Sequence, residues 1–432
     1  MAAHVGLLFT HDLGNHLPVF LALVAVAFVG LFTGERLLHG IQPSVGQSIV
    51  VVAVCLRLLM VLLPPTLSED VFRYLWDGRV LQAGFNPYEL PPEAPQLAPL
   101  RDELWHGLPH RDVPTVYPPL AEAVFAMAAW MPAPVYALKA ILATVDVGTC
   151  VLLLLLARRW QMPQERVLWY AWNPLVTVEL AGMGHIDGLG VALVVLTTLL
   201  LTLPGRRIGT AAVAAAAAVL TKLVPILAFP TWGRQSGRAA TFVLLAAAVA
   251  LAGLVPMIAT TGGAPPGLVR YGVSWEFNGP LFEPLWRLLD SVGLPATAHA
   301  GLDRLKDVSG EHDFWNRFYP WNYPQIWAKV LLAAGLTVSM LWAWKDRDTP
   351  RSMQKIFGAV IIFSATVYPW YAIWVLPWAA LRRSPAWLML TALLFLSYIP
   401  QFAAVTLFPW IHALIWIPFL VVLVLTRRWS MP

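Results

Sequence analysis

The chain has 432 residues, of which 58% are hydrophobic and 12% charged, with a net charge of +5 and a mean hydropathy of +0.65. A soluble domain carries roughly 25% charged residues, so a water-soluble enzyme is excluded, and the apolar residues fall in runs near the ~20 needed to cross a bilayer as a helix. The positive charge does not indicate nucleic acid, because basic residues cluster beside apolar runs (Arg158-Arg159, Arg206-Arg207, Arg382-Arg383, Arg427-Arg428), the orientation signal of cytoplasmic loops.

Taken in order, Leu17 to Gly34 reads as a first span, and no basic n-region precedes it, so no cleavable signal peptide is expected. A polar break from Glu35-Arg36 to Ser44 leads to a second span, Gly46 to Leu63, which contains Arg57. Residues 64–115 form a first large polar loop, expected on the extracytoplasmic side because the basic clusters lie elsewhere. Its core is SEDVFRYLWDGRVLQAGFNPY, Ser68 to Tyr88. Asp70, Arg73, Tyr74 and Asp77 share one face at helical spacing, and Gly84 with Asn86-Pro87 ends the helix in a turn.

Further spans are expected near Pro118–Trp130, Pro134–Ala157, Val167–Ala181 and Leu189–Leu203. The first two would put Arg158-Arg159 on the wrong side of the membrane. A glycine-rich mouth, Gly182-Met183-Gly184-His185-Ile186-Asp187-Gly188, separates the last two. The run 208–230, with Thr221-Lys222 near its middle, has basic flanks at both ends, as does 356–381 around Tyr368-Pro369-Trp370-Tyr371. Pairs of short helices meeting at an outer mouth explain both. A second large polar loop, 260–323, is rich in aromatics, Trp275 and Trp321 among them, and is expected to fold over the same face as the first. Remaining spans lie near Tyr323–Trp344, Ala386–Leu407 and Ile411–Leu425. The expected fold is an all-α polytopic membrane protein with about 11 to 13 spans.

Each candidate group also has a bland reading. Charged loop residues at a span end often only solvate the loop, and Glu69 with Arg73 fits an i,i+4 pair. His185 and Asp187 fit a capped helix end, two ligands being too few for a metal site. Lys222 fits snorkelling to the interface or a cation for a phosphate. Glu179, Asp146 and Lys139 could pair with Arg57 or with each other. Cys55 and Cys150 read as packing residues. The aromatics around Trp370 and Tyr371, with Trp374, fit an interfacial belt or a groove for a lipid chain and a sugar ring. No Walker loop, Rossmann fingerprint or Ser-His-Asp arrangement occurs.

Several of these motifs, in order, carry a resemblance. They are Ser68-Glu69-Asp70 with Tyr74, Trp76-Asp77-Gly78-Arg79, Gly84-Phe85-Asn86-Pro87-Tyr88 and Tyr117-Pro118-Pro119-Leu120. Asn173-Pro174, Gly184-His185-Ile186-Asp187, Thr221-Lys222-Leu223-Val224-Pro225 and Pro369-Trp370-Tyr371 follow. Together they resemble GT-C superfamily glycosyltransferases, in particular glycosyltransferase family 87 and polyprenol-phosphomannose-dependent α-mannosyltransferases.

The resemblance implies one GT-C transmembrane domain over residues 1–432 in a bacterial inner membrane. It implies inverting transfer of a hexose, with mannose favoured, from a polyprenyl-phosphate donor to a glycolipid or glycan acceptor on the extracytoplasmic face. It implies no bound metal and no cofactor. By the same likeness Asp70, or alternatively Glu69, is the catalytic base, and Arg73 and Lys222 contact the carrier phosphate, with Trp370 and Tyr371 beside the donor. Tyr74, Asp77, Tyr88, His185 and Asp187 are the candidate contacts to acceptor or sugar. A transporter or flippase of lipid-linked sugars is the competing class, since it too uses intramembrane charges and broken helices.

Overall fold

The computed structural model describes residues 1–38, 45–205, 207–259 and 261–429. Part of the polar break before Ser44, Arg206, and the side chains of Trp321, Arg427 and Arg428 lie outside the described residues. The described residues are helical, with no strand beyond isolated bridges between Phe277–Asn278 and Thr366. Among the described residues six helices are long and apolar enough to cross a membrane: Leu17–Leu38, Pro134–Arg159, Ala239–Ala259, Pro324–Lys345, Pro385–Phe402 and Leu407–Thr426. A further apolar pair, Pro174–Gly182 with Asp187–Leu200, is bent by 118° at its break, as in a broken span or a re-entrant loop. The chain is an integral membrane protein.

The expected count of 11 to 13 spans differs from this because several apolar runs are short or broken. Val45–Val61, Pro119–Ala129 and Ile208–Thr221 are shorter apolar helices. Pro119–Ala129 has 11 residues, about 17 Å at 1.5 Å per residue against a hydrocarbon core of ~30 Å. It cannot cross, and this removes the conflict over Arg158-Arg159: only the 26-residue helix Pro134–Arg159 leads from the first loop to that basic pair. Ala239–Ala259, between Arg238 and the second loop, is a full-length helix that is not among the expected spans.

The two runs with basic flanks are broken as expected. Ile208–Thr221 stops at Lys222, which is extended, and the chain continues through a tight turn at Val224–Ala228 into Phe229–Ser236. Thr349–Ile362 likewise stops, and Pro369–Trp374 turns the chain into Leu376–Arg382. Proline in the first turn of each continuation suits a restart, because its missing N–H is unpaired there anyway. The far ends of both broken runs meet one ionic knot. Lys355 reaches Asp346 at 2.7 Å, Arg382 reaches Asp348 at 3.3 Å, and Arg234 donates to the Asp346 carbonyl.

The first loop carries its own small core, Trp76, Val80, Ala94, Leu97 and Leu108. Its helix, Asp70–Gln82, lies directly on Pro119–Ala129. A Cβ at Gly78 would come within 2.5 Å of the Phe125 backbone, so only glycine permits this approach. Every residue of Trp76-Asp77-Gly78-Arg79 is thus explained by packing and pairing. Trp76 fills the loop core, Asp77 pairs with Arg73, Gly78 admits the partner helix, and Arg79 holds Asp102 at 2.5 Å. The second loop packs against the first. Arg270 pairs with Asp112 at 3.1 Å, His110 packs on Trp275, and Gly267 sits against the Pro114 carbonyl.

Candidate active site

The first-loop helix, the tip at Lys222, the broken segment around Trp370 and the second loop enclose one cavity of about 640 Å³. Glu69, Asp70, Arg73, Asp77, Lys222, Trp370 and Tyr371 line it, which unites most of the residues that the sequence singles out. Tyr74, Tyr88, His185 and Asp187 stand behind the wall.

Asp70 opens its helix as the first helical residue, where the helix dipole favours a carboxylate. Its side chain is 31% exposed, and its Oδ2 accepts from the Tyr74 hydroxyl at 3.4 Å and lies 3.5 Å from His185 Nδ1. Burial alone would push this carboxyl up. Pairing with His185, the nearby Lys222 ammonium and the Tyr74 hydrogen bond outweigh it and hold Asp70 below the usual carboxylate range. Asp70 is thus an accessible carboxylate whose surroundings favour its ionised form. Glu69 is exposed on the same rim.

Arg73 does not pair with Glu69. Its Nε donates to both oxygens of Asp77 at 2.9 and 3.0 Å, and its terminal nitrogens donate to the carbonyls of His110 at 3.2 Å and Val113 at 2.7 Å. It therefore straps the returning segment 110–113 to the helix. Burial pushes the Asp77 carboxyl up, and the Arg73 charge opposes that only in part. Tyr74 stacks flat on Phe125 with ring centres 4.4 Å apart, and its burial raises its phenol well above the ordinary value. Tyr88 donates to the Tyr117 carbonyl at 3.0 Å, so the Gly84–Tyr88 turn braces the cavity wall from behind.

Lys222 Nζ donates to Asp187 Oδ1 at 2.7 Å and lies 4.7 Å from the centre of the Tyr371 ring. An ammonium has three donors, and one is engaged by Asp187. At 23% exposure the group still faces the cavity. Asp187 also accepts from Trp374 Nε1 at 2.6 Å, while its Oδ2 is buried without a partner. It is the first residue of its helix, with Ile186 at the cap position, so it is not the expected capping residue. Tyr371 shares a short hydrogen bond with Tyr271 of the second loop. His185, Trp370, Tyr368 and Phe277 form a continuous ring stack, with centre-to-centre steps of 3.8, 4.7 and 4.7 Å. The aromatics around Trp370 are therefore a cavity wall and not only an interfacial belt.

One polar residue at the site is not expected there from sequence. Glu179 lies in a π-helical turn, Thr177–Gly182. The widened turn lets the His185 N–H bond the Glu179 carbonyl at 3.1 Å and brings His185 Nε2 to 3.2 Å from Glu179 Oε2. Arg57 instead pairs with Asp146 at 2.7 Å, and Lys139 donates to the Leu63 carbonyl. The only sequence signal for Glu179 is its ionisable side chain inside an apolar run. Among the described residues no group of three or more His, Cys, Asp or Glu is arranged to hold a metal ion, and Cys55 and Cys150 are free.

The cavity of this integral membrane protein thus brings together a carboxylate, an ammonium and stacked aromatic rings. The family model described as alpha-(1->6)-mannopyranosyltransferase, N-terminal domain (the MptA_B family), matches residues 9–238, more than half of the chain. The chain belongs to this mannosyltransferase family. No curated protein and no solved structure matches it significantly.

Proposed function

We propose that this protein is a GT-C type inverting mannosyltransferase that uses a polyprenyl-phosphate mannose donor and a glycolipid or glycan acceptor on the extracytoplasmic face of a bacterial inner membrane. The observation that carries the reading is the joint presence of Asp70 and Lys222 on one cavity inside a mannosyltransferase family member. The cavity draws residues from Thr66 to Phe402, which supports treating 1–432 as one working domain.

In this mechanism Asp70 accepts the proton of the acceptor hydroxyl as its oxygen attacks the anomeric carbon. The bond from that carbon to the phosphate oxygen breaks, and its electron pair leaves with the phosphate. Lys222, held by Asp187 and the Tyr371 ring, stabilises the growing negative charge with its remaining donors. Arg73 lies on the wall with most of its donors engaged by Asp77, His110 and Val113, so its part is to hold the loop, with its remaining donors left for the carrier phosphate. Trp370 and Tyr371 offer flat surfaces for the sugar or the first prenyl units.

Transfer of label from radiolabelled polyprenyl-phosphate mannose into membrane glycolipids tests this, with wild type beside Asp70→Asn. Label moved by wild type and lost in a folded, donor-binding Asp70→Asn supports the assignment. Equal transfer by both removes Asp70 and turns attention to Glu69. No transfer by either, with other lipid-linked sugars moved across vesicles instead, favours a transporter.

A further inference from the structure

The carboxylate proposed as base does not stand alone. Behind Asp70 lies His185, fully buried, with Nδ1 toward Asp70 and Nε2 toward Glu179. Behind His185 lies Glu179, also fully buried, whose two oxygens accept from the Tyr398 hydroxyl at 2.9 and 3.1 Å. The ring contacts are at ion-pair distance without directed hydrogen-bond geometry. Loose contacts of this kind are common in an unliganded site and tighten when substrate binds.

The backbone is built for this row. A 3.6-residue repeat would put Glu179 and His185 on different sides of a helix. The π-helical turn, the left-handed Gly184 at φ +80° and the 118° bend bring them together. Such turns are frequent at functional sites. Trp370 covers one face of the imidazole, which leaves the ring edge, with its two nitrogens, as the only polar contact it makes. Burying a glutamate and a histidine side by side is costly unless their polar atoms are used.

We infer that His185, backed by Glu179 and Tyr398, is a positioning residue for the base: it orients the Asp70 carboxylate that takes the proton of the acceptor. The inference rests on the reading of Asp70 as base. The proton is taken up at Asp70 and returns from Asp70 to the released phosphate, while His185 and Glu179 fix the orientation of the carboxylate from behind. Tyr398 is enclosed by Phe20, Phe395 and Phe402, so the row ends inside the protein and backs Asp70 without opening a second path to water. The other charged or titratable groups facing this row are Tyr74 from the same helix, Lys222 across the cavity, Tyr271 and Tyr368 from the opposite wall, and Tyr117, which donates to Tyr74 at 3.4 Å.

Substitutions at His185 separate this role from packing. His185→Phe keeps a ring against Trp370 and removes both nitrogens. His185→Asn removes the ring and keeps a donor where Nδ1 stands. The inference expects His185→Phe and Glu179→Gln to lower kcat by about 10- to 100-fold with donor KM unchanged. His185→Asn should recover part of the loss, and the acid limb of the pH profile should rise in all three.

Wild-type kcat in His185→Phe, or wild-type kcat and pH profile in Glu179→Gln, overturns the inference. If Glu179→Gln does not fold, Tyr398→Phe replaces it, with a smaller loss expected and unchanged turnover counting against the row. An active Asp70→Asn would sink the base reading itself, whereas an inactive Asp70→Asn beside an active His185→Phe sinks only this inference.

Discussion

Two buried polar clusters in this molecule are made from nearly the same parts and do different things. In one, Arg57 donates to Asp146 through Nε and a terminal nitrogen at 2.9 and 2.7 Å. Tyr170 donates to the other Asp146 oxygen at 2.5 Å, and Arg57 also reaches the Ala171 carbonyl. Both charged side chains are at most 1% exposed. In the other, Asp70 and Lys222 open onto a cavity, His185 stands between two carboxylates, and Asp187 Oδ2 has no partner. The first cluster is closed and complete; the second is open and leaves capacity unused. Completeness and access, more than residue type, mark which buried charges await a substrate.

Substitutions can break the contrast. Asp70→Asn should lower turnover by about 100- to 10,000-fold, the usual range for a general base, with an unfolding midpoint in detergent near that of wild type. Lys222→Met should reduce kcat by about 100- to 1,000-fold, the effect of losing one donor to a developing anion, read in the same transfer assay. Arg57→Met reverses the pattern. Asp146 is then left buried and uncompensated, so stability should fall by about 3–5 kcal/mol, measured by denaturant unfolding, while turnover per folded molecule stays at the wild-type level.

Smaller effects sharpen it further. Gly78→Ala should destabilise by about 1–3 kcal/mol, because the added carbon meets the Phe125 backbone; thermal unfolding reads this directly. The pH profile supplies a last test. A base must be deprotonated to act, and Asp70 is held below the ordinary carboxylate range. Transfer should therefore persist through mildly acidic pH and fail only as pH drops through that depressed value. An acid limb at or above the ordinary carboxylate range would contradict the pairing with His185.

Much of the site is legible in local pattern. The face shared by Asp70, Arg73, Tyr74 and Asp77 follows from helical spacing alone, and so does the break at Lys222, where a charge interrupts an alanine-rich run flanked by arginines. What escapes has a physical cause in each case. Arg73 takes Asp77 over Glu69 because Asp77 faces inward with it, and sequence spacing allows either. Asp146 is only one option among several for Arg57, since nothing local links residues so far apart in the chain. Glu179 is hidden by a π-helical turn, which the ordinary repeat does not reveal. Pro119–Ala129 passes as a span because apolar composition does not report length, and Ala239–Ala259 is missed although its composition is sufficient.

The ionic knot at Asp346 and Asp348 gives the cavity a mechanical property. Lys222 and the Trp370–Tyr371 turn are the free tips of two separate helical hairpins, and both hairpins are moored at that one point on the opposite side of the molecule. The two hairpins thus share one anchoring point in addition to the contacts at their tips. Asp346 therefore supplies a partner to both hairpins at once, its carboxylate to Lys355 and its carbonyl to Arg234, a single residue that touches the supports of the ammonium and of the aromatic wall.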